Sequence, residues 1–196
     1  MKGRSVNCWQ IFRRKQAKMR EVVLDTETTG ISAKNGHRII EIACLELKGG
    51  QPSGAQYCQR LNPGRPIDWG ATRVHGIKNK HLQHCPEFSE VAASLFDFIA
   101  DSPLVIHNAP FDLAFLRVET VLCGLNEFKP VAVVVTLRMA RRYFPGGRNS
   151  LDALCQRFSI DRSGRSRHGA LIDCQLLAQV YAHLKSYDPA NRSALS

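Results

Sequence analysis

The segment EVVLDTETTG, residues 21–30, joins a strand to the start of a chemical centre. Residues 21–25 are apolar on both faces, as in a central strand covered on two sides. Asp25 and Glu27 stand two apart at the end of that strand, and period-two geometry points both carboxylates to one side. Two like charges there repel each other and lose hydration. A divalent cation is the usual compensation; two solvated acids in a turn are the alternative. The pair directly precedes Thr28-Thr29-Gly30, read as a turn with free backbone N–H groups, and ligand sites in open α/β sheets lie at such strand ends.

Outward from this segment, residues 38–48 (RIIEIACLELK) read as a second strand. Residues 56–61 read as a third, closed by Asn62-Pro63-Gly64. A loop containing Val74-His75-Gly76-Ile77 follows. Residues 89–100 place Val91, Leu95, Phe98 and Ile99 at helical spacing, with Ser89 as the cap. Residues 104–107 (LVIH) form a short buried strand, and Phe111, Phe115, Val118 and Leu122 mark one face of the next helix. A strand at 131–135, a helix at 150–158 starting from Asn149 or Ser150, and a helix at 169–184 complete the series. Leu171, Cys174, Ala178 and Tyr181 form a stripe on the last helix. Three strands followed by alternating helices and strands predict an α/β domain. Its mixed sheet begins antiparallel, continues parallel and carries flanking helices.

Three further residues bear on the same sheet edge. Asp112 lies just beyond LVIH, near a helix start where Pro110 suits the first turn and Asn108 is a candidate cap. It either complements the helix dipole or joins the acids of the first strand. Asp173 sits among Gly169, Ala170, Leu176, Leu177 and Val180 at helical spacing; so apolar a setting demands a partner, which a base or a backbone donor could supply, and a metal shared with the other acids serves better because no base lies nearby on that helix face. His168 precedes this helix, after a polar loop carrying Arg162, Arg165 and Arg167. It is either a surface histidine or a general base, since neutral imidazole is suited to taking a proton from water near pH 7.

Composition bounds the reading. The 196 residues, 44% of them apolar, suffice for one domain with a sizeable core. The formal net charge is +10, but seven of the 27 basic residues fall within residues 1–20, which hold no acid. The remainder sets 20 bases against 17 acids, so the body is only mildly basic. Charge alone makes a polyanionic partner plausible and no more. The seven cysteines lack CxxC spacing and read as buried free thiols of a reducing cytosol. No apolar run reaches membrane-spanning length. The chain divides into a basic tail (1–20), a domain (21–185) and a short tail (186–196); the first is a flexible arm, a start assigned upstream of Met19, or a transit peptide.

The motifs DTETTG (25–30), HNAPFD (107–112) and HGALID (168–173), in this order, resemble the DnaQ-like, or DEDDh, 3′→5′ exonuclease family. The likeness runs from about residue 21 to about residue 184. VHGI, FPGGRNSLDALC and HGALIDCQLLAQVY resemble in particular the branch that contains the proofreading subunits of bacterial DNA polymerase III. The resemblance implies a ribonuclease H-like fold and two divalent cations, Mg²⁺ or Mn²⁺. Asp25, Glu27 and Asp173 would hold one cation, Asp25 would bridge to the second and Asp112 would support it. His168 would deprotonate the attacking water. Thr28, Thr29, Gly30, His75 and Asn108 would help to seat the terminal nucleotide, beside Asp25, Glu27 and Asp173. The implied partners are DNA 3′ ends, single-stranded or frayed, and a DNA polymerase III catalytic subunit, in the bacterial cytoplasm.

Three departures from the family pattern stand out. Val135-Thr136 occupies a place where the family has Asp followed by Ser or Thr. Trp69-Gly70 occupies one where an acid contacts the substrate nucleotide. Residues 185–196 are shorter than the tail that tethers the proofreading subunits to their polymerase. Three readings therefore stand: a proofreading exonuclease, a free-standing 3′ exonuclease of DNA or RNA, and a non-cutting paralogue that binds nucleic acid.

Overall fold

The computed structural model describes residues 20–164 and 167–188. Strand β1 (Arg20–Thr28) pairs antiparallel with β2 (Ile39–Lys48), which pairs antiparallel with β3 (Gln51–Arg60). Helices α1 (Trp69–His75) and α2 (Phe88–Ile99) lead to β4 (Leu104–Ile106), which lies parallel to β1. Helix α3 (Ala109–Leu122) leads to β5 (Val133–Val135), parallel to β4, and α4 (Thr136–Tyr143), α5 (Leu151–Arg157) and α6 (Ala170–Ser186) follow. The order across the sheet is β3-β2-β1-β4-β5. Antiparallel strands come first and parallel strands after, as the sequence predicts.

The alternation of β1 sorts the core into layers. Val22 and Leu24 pack with Phe88, Val91, Leu95, Phe115 and Leu116 of α2 and α3. Val23 points the other way and packs with Ala170, Cys174, Leu177 and Tyr181 of α6. The far side of α6 contributes Leu176, Val180 and Leu184 to a third cluster with Ala140, Leu154 and Cys155. Apolar burial thus covers both faces of β1, and α6 belongs to two clusters at once. The thiols of Cys44, Cys155 and Cys174 are buried as expected, whereas Cys58 is exposed on the edge strand.

Several local expectations are corrected. Helix α2 begins one residue early, capped by Glu87 rather than Ser89, and the Glu87 N–H donates to Glu90 Oε2 at 2.7 Å. Asn108 takes the N-cap position of α3 without a side-chain capping bond. Ser150 rather than Asn149 starts α5, its Oγ accepting the Ala153 N–H. The stretch read as a loop around Val74 and His75 is the end of helix α1, and α4 is an additional helix.

One buried ion pair ties α3 to the sheet. The Arg38 guanidinium donates from Nε and Nη2 to the two Glu119 oxygens at 2.9 and 2.6 Å, and the Ile39 N–H donates to Oε1 at 3.0 Å. Glu119→Ala leaves a cation and a buried amide without their acceptor. We expect a loss of about 3 kcal/mol in urea denaturation, of which Glu119→Gln recovers part. A loss under about 1 kcal/mol would show that Arg38 resolvates freely.

Candidate active site

The parity that sorts the core also sorts the acids. Asp25 and Glu27 share the face of Val23, toward α6, whereas Thr26 faces α3. Both acids lie inside β1, which runs on to Thr28, instead of following it. Glu27 pairs in register with Glu41 of β2, and the register breaks between Glu27 and Thr28. Because β4 runs parallel to β1, its C-terminal end delivers the start of α3 to the same sheet edge.

Asp112, in the first turn of α3, is buried and accepts a 2.8 Å hydrogen bond from the Thr26 hydroxyl. Burial pushes its carboxyl up to about 7, against the opposing pull of the Thr26 hydroxyl and of the Asp112 and Thr26 backbone. A folded-state value raised from 3.8 means that this group favours the fold when protonated, and the contribution is lost as pH rises through about 7. In chelator, the chain should therefore lose on the order of 2 kcal/mol of stability between about pH 5 and pH 8 on this account, and Asp112→Asn should flatten the slope. Thermal unfolding in EDTA across that range checks it; an unchanged slope in the variant would assign the dependence elsewhere.

Asp173 lies in the first turn of α6, buried, with its N–H bonded to the Gly169 carbonyl at 2.9 Å. His168 precedes the N-cap Gly169, and its Nδ1 lies 3.2 Å from Asp173 Oδ2. The histidine side chain is 42% exposed, in reach of solvent. Ligand atoms of Glu27, His168 and Asp173 all lie within 4.8 Å of one another. The Cys174 thiol, next in the helix, is pushed well up by burial and further by the negative charges of Asp25, Asp173 and Asp112, among others. Residues from β1, α3 and α6 thus converge on one electronegative spot. Carboxylate oxygens gathered in this way fit a hard divalent cation such as Mg²⁺ or Mn²⁺.

The surrounding turn is more engaged than the sequence suggests. The Thr29 N–H donates to the Arg38 carbonyl at 2.9 Å, so it is not a free donor. The fully buried Thr29 hydroxyl contacts His37 Nδ1 and accepts the Arg38 N–H, both at 3.0 Å. Thr28 donates its hydroxyl to the Gly30 carbonyl at 2.7 Å. The His37 ring lies where a Gly30 Cβ would stand, so any larger residue there would have to displace the ring from Thr29. His75 is buried at the end of α1; its Nδ1 accepts the Ile77 N–H at 3.0 Å and its ring meets the Thr28 backbone. The structure therefore brings Thr28, Gly30 and His75 together, while Asn108 is exposed at the start of α3.

The sequence places three arginines in the loop before α6, close to His168. Arg162 instead pairs with Asp152 at 2.9 Å, Arg167 packs on Gly76, and Arg165 lies outside the described residues. An open groove of about 610 Å³ extends from Asp152 and Ile160 to Arg167 and His168. Glu41 escaped the sequence reading. Its Oε2 accepts the Ala170 N–H at 2.9 Å, holding the start of α6, while Oε1 accepts from Arg60 at 2.9 Å. The signal was an acid inside the apolar run IIEIACL, which needs a buried partner. At the departure from the family pattern, Val135 ends β5 and the Thr136 hydroxyl meets His107 Nδ1 at 2.9 Å. His107 Nε2 in turn meets the Asn149 carbonyl at 3.0 Å, so its proton resides on Nε2.

With this geometry in place, similarity to known proteins is decisive. A family model described as Exonuclease (RNase_T) matches residues 22–181. The chain belongs to this exonuclease family. The exonuclease is 47% identical over 169 residues to the DNA polymerase III subunit epsilon of Rickettsia prowazekii, covering 85% of this chain and 74% of that one. It is 45% identical over 169 residues to the subunit of the same name from Escherichia coli K12, covering 83% and 70%. Its fold matches exonuclease X in complex with 5′ overhanging duplex DNA, at TM-score 0.69 and 24% identity over 86% of this chain and 92% of that one. It also matches the nuclease domain of 3′hExo, a DEDDh family member bound to rAMP, at TM-score 0.75 and 17% identity over 89% and 94%. The ribonuclease H-like layout expected from the motifs is thus the fold of this exonuclease.

Proposed function

We propose that this exonuclease removes nucleotides from DNA 3′ ends in the 3′→5′ direction, as the proofreading subunit of a bacterial DNA polymerase III. The observation that carries the reading is the convergence of Glu27, His168 and Asp173 on one spot, with Asp25 and the buried Asp112 close enough to act, like Asp173, on the Cys174 thiol. Asp25, Glu27 and Asp173 would hold one divalent cation, with Asp25 and Asp112 serving a second. When bound, such cations supply charge neutralisation for the phosphate and a more acidic water. His168, half exposed and directed at Asp173, takes the proton of the attacking water. The water oxygen forms a bond to phosphorus as the bond to the 3′ oxygen of the next nucleotide breaks. The products are a 5′-nucleoside monophosphate and a strand one nucleotide shorter. Thr28, Gly30 and His75 seat the terminal nucleotide.

The role in proofreading is supported by the names of the most similar relatives. A mispaired end frays more easily than a paired one, so a sequence-blind nuclease favours errors. A cytoplasmic location accords with these bacterial relatives, and no helix among the described residues is long and apolar enough to cross a membrane. The test is hydrolysis of matched and 3′-mispaired primers and of RNA, in Mg²⁺ or Mn²⁺, with Asp25→Ala as control. Faster removal of mispaired ends and co-purification with a polymerase III catalytic subunit are expected. Wild type and Asp25→Ala equally inert would end the enzymatic role, and trimming without polymerase association would leave a free-standing exonuclease.

A further inference from the structure

The rim of the site carries an aromatic side chain that the proposed chemistry does not use. Trp69 opens α1 and is 73% exposed, although tryptophan normally gains from burial. The helix beneath it is fixed to the catalytic elements. The Asp68 N–H donates to the Thr29 carbonyl at 2.9 Å, and the Val74 carbonyl accepts the His168 N–H at 3.4 Å. His75, at the other end of α1, lies against Thr28. Arg73, one turn on from Trp69, places its guanidinium 4.7 Å from the ring centroid. One ring face thus bears a cation and the remaining surface meets solvent. The next residue, Gly70, adds no side chain, and a Cβ there would find nothing within 4 Å among residues other than its chain neighbours. The acid that precedes Trp69, Asp68, lies with its Oδ2 3.5 Å from His37 Nε2.

An exposed indole backed by an arginine, on an element bonded to two of the three catalytic motifs, is built for a planar, anionic ligand. We propose that Trp69 and Arg73 form a stacking platform for a base of the single strand behind the nucleotide being removed. Trp69 contributes the face on which the base lies, and Arg73 orients the indole and attracts the adjoining phosphate. Trp69 lies six residues before His75, roughly 9 Å along the helix, which is beyond the width of one seated nucleotide. Any base offers a π-face, so the contact is tolerant of sequence, as a nuclease acting on every end requires. The inference rests on the exonuclease assignment above.

The test compares the full-length chain with Trp69→Ala and Trp69→Phe on a single-stranded oligonucleotide in Mg²⁺. A second oligonucleotide keeps the terminal nucleotide and carries abasic residues behind it. Trp69→Ala should raise KM on the normal strand by about 5- to 100-fold with kcat little changed, and Trp69→Phe should restore most of it. Wild type should lose a similar factor on the abasic strand, and Trp69→Ala should add nothing further there. In a Trp9→Phe background with EDTA, oligonucleotide should quench the fluorescence of Trp69. An unaltered KM for Trp69→Ala, or a defect equally large on the abasic strand, would overturn the platform. Weakened polymerase association with unaltered KM would also overturn it, assigning Trp69 to a protein contact. Failure of the wild type to hydrolyse either strand would instead count against the exonuclease role itself.

Discussion

Asp173→Asn is expected to lower kcat by about 10⁴-fold, equivalent to ~5.5 kcal/mol of transition-state stabilisation. The substitution is nearly isosteric, and the Asp173 N–H bond to Gly169 within α6 does not involve the side chain. The fold should survive with its core clusters intact. What changes is one charge at the point where donor atoms of Glu27, His168 and Asp173 gather within 4.8 Å. A carboxylate there binds a hard cation; a neutral amide offers one weaker oxygen and a donor that repels it. Two measurements separate this from a folding defect. At a divalent concentration of about 100 Kd, binding stabilises the wild type by about 2.7 kcal/mol, seen as a rise in Tm. That rise should largely vanish in Asp173→Asn, whereas the Tm in EDTA should not fall. A variant keeping more than about a tenth of the wild-type rate would remove Asp173 from the cation site.

His168→Gln is the second large effect: about 10³-fold in kcat, or ~4 kcal/mol, with KM little altered. His168 stands outside α6, and its side chain is 42% exposed, so its loss creates no cavity. Glutamine can keep a polar contact to Asp173 but cannot accept a proton from water. The Tm rise on adding divalent cation should persist, which distinguishes a base from a ligand, since the position of Nδ1 near Glu27 and Asp173 would permit either. The deficit should also narrow as pH rises, because solvent hydroxide then replaces the missing base. A variant that loses the cation-induced Tm rise as fully as Asp173→Asn would make His168 a ligand.

Much of this centre was legible in the chain because its chemistry is local. Asp25, Glu27, His168 and Asp173 occur in short motifs next to apolar runs, and apolar periodicity places those runs on strands and helices. Elements that depend on tertiary anchoring were not legible. The first half of β3 is polar and exposed; its pairing comes from the hairpin register Lys48↔Gln51, not from its side chains. Helix α1 has only His75 buried and carries Gly70, so no apolar stripe announces it. Helix α4 buries only Thr136 and Ala140 and presents three arginines, Arg138, Arg141 and Arg142. Within the site, the Thr26–Asp112 bond and the Glu41 contact to Ala170 span 86 and 129 residues of sequence, and no local pattern encodes them.

The double membership of α6 bears on how the two halves of the centre move. A helix packed on the sheet by Cys174 and Leu177, and on α4 and α5 by Leu176 and Val180, cannot detach without dismantling two clusters. The amide protons around Asp173 should therefore exchange with solvent only when the whole molecule opens. Helix α1, held by a single buried residue and a few backbone bonds, can open at far lower cost. The acidic floor is as durable as the fold itself, while the amide protons of the wall carrying His75 and Trp69 should exchange through local opening.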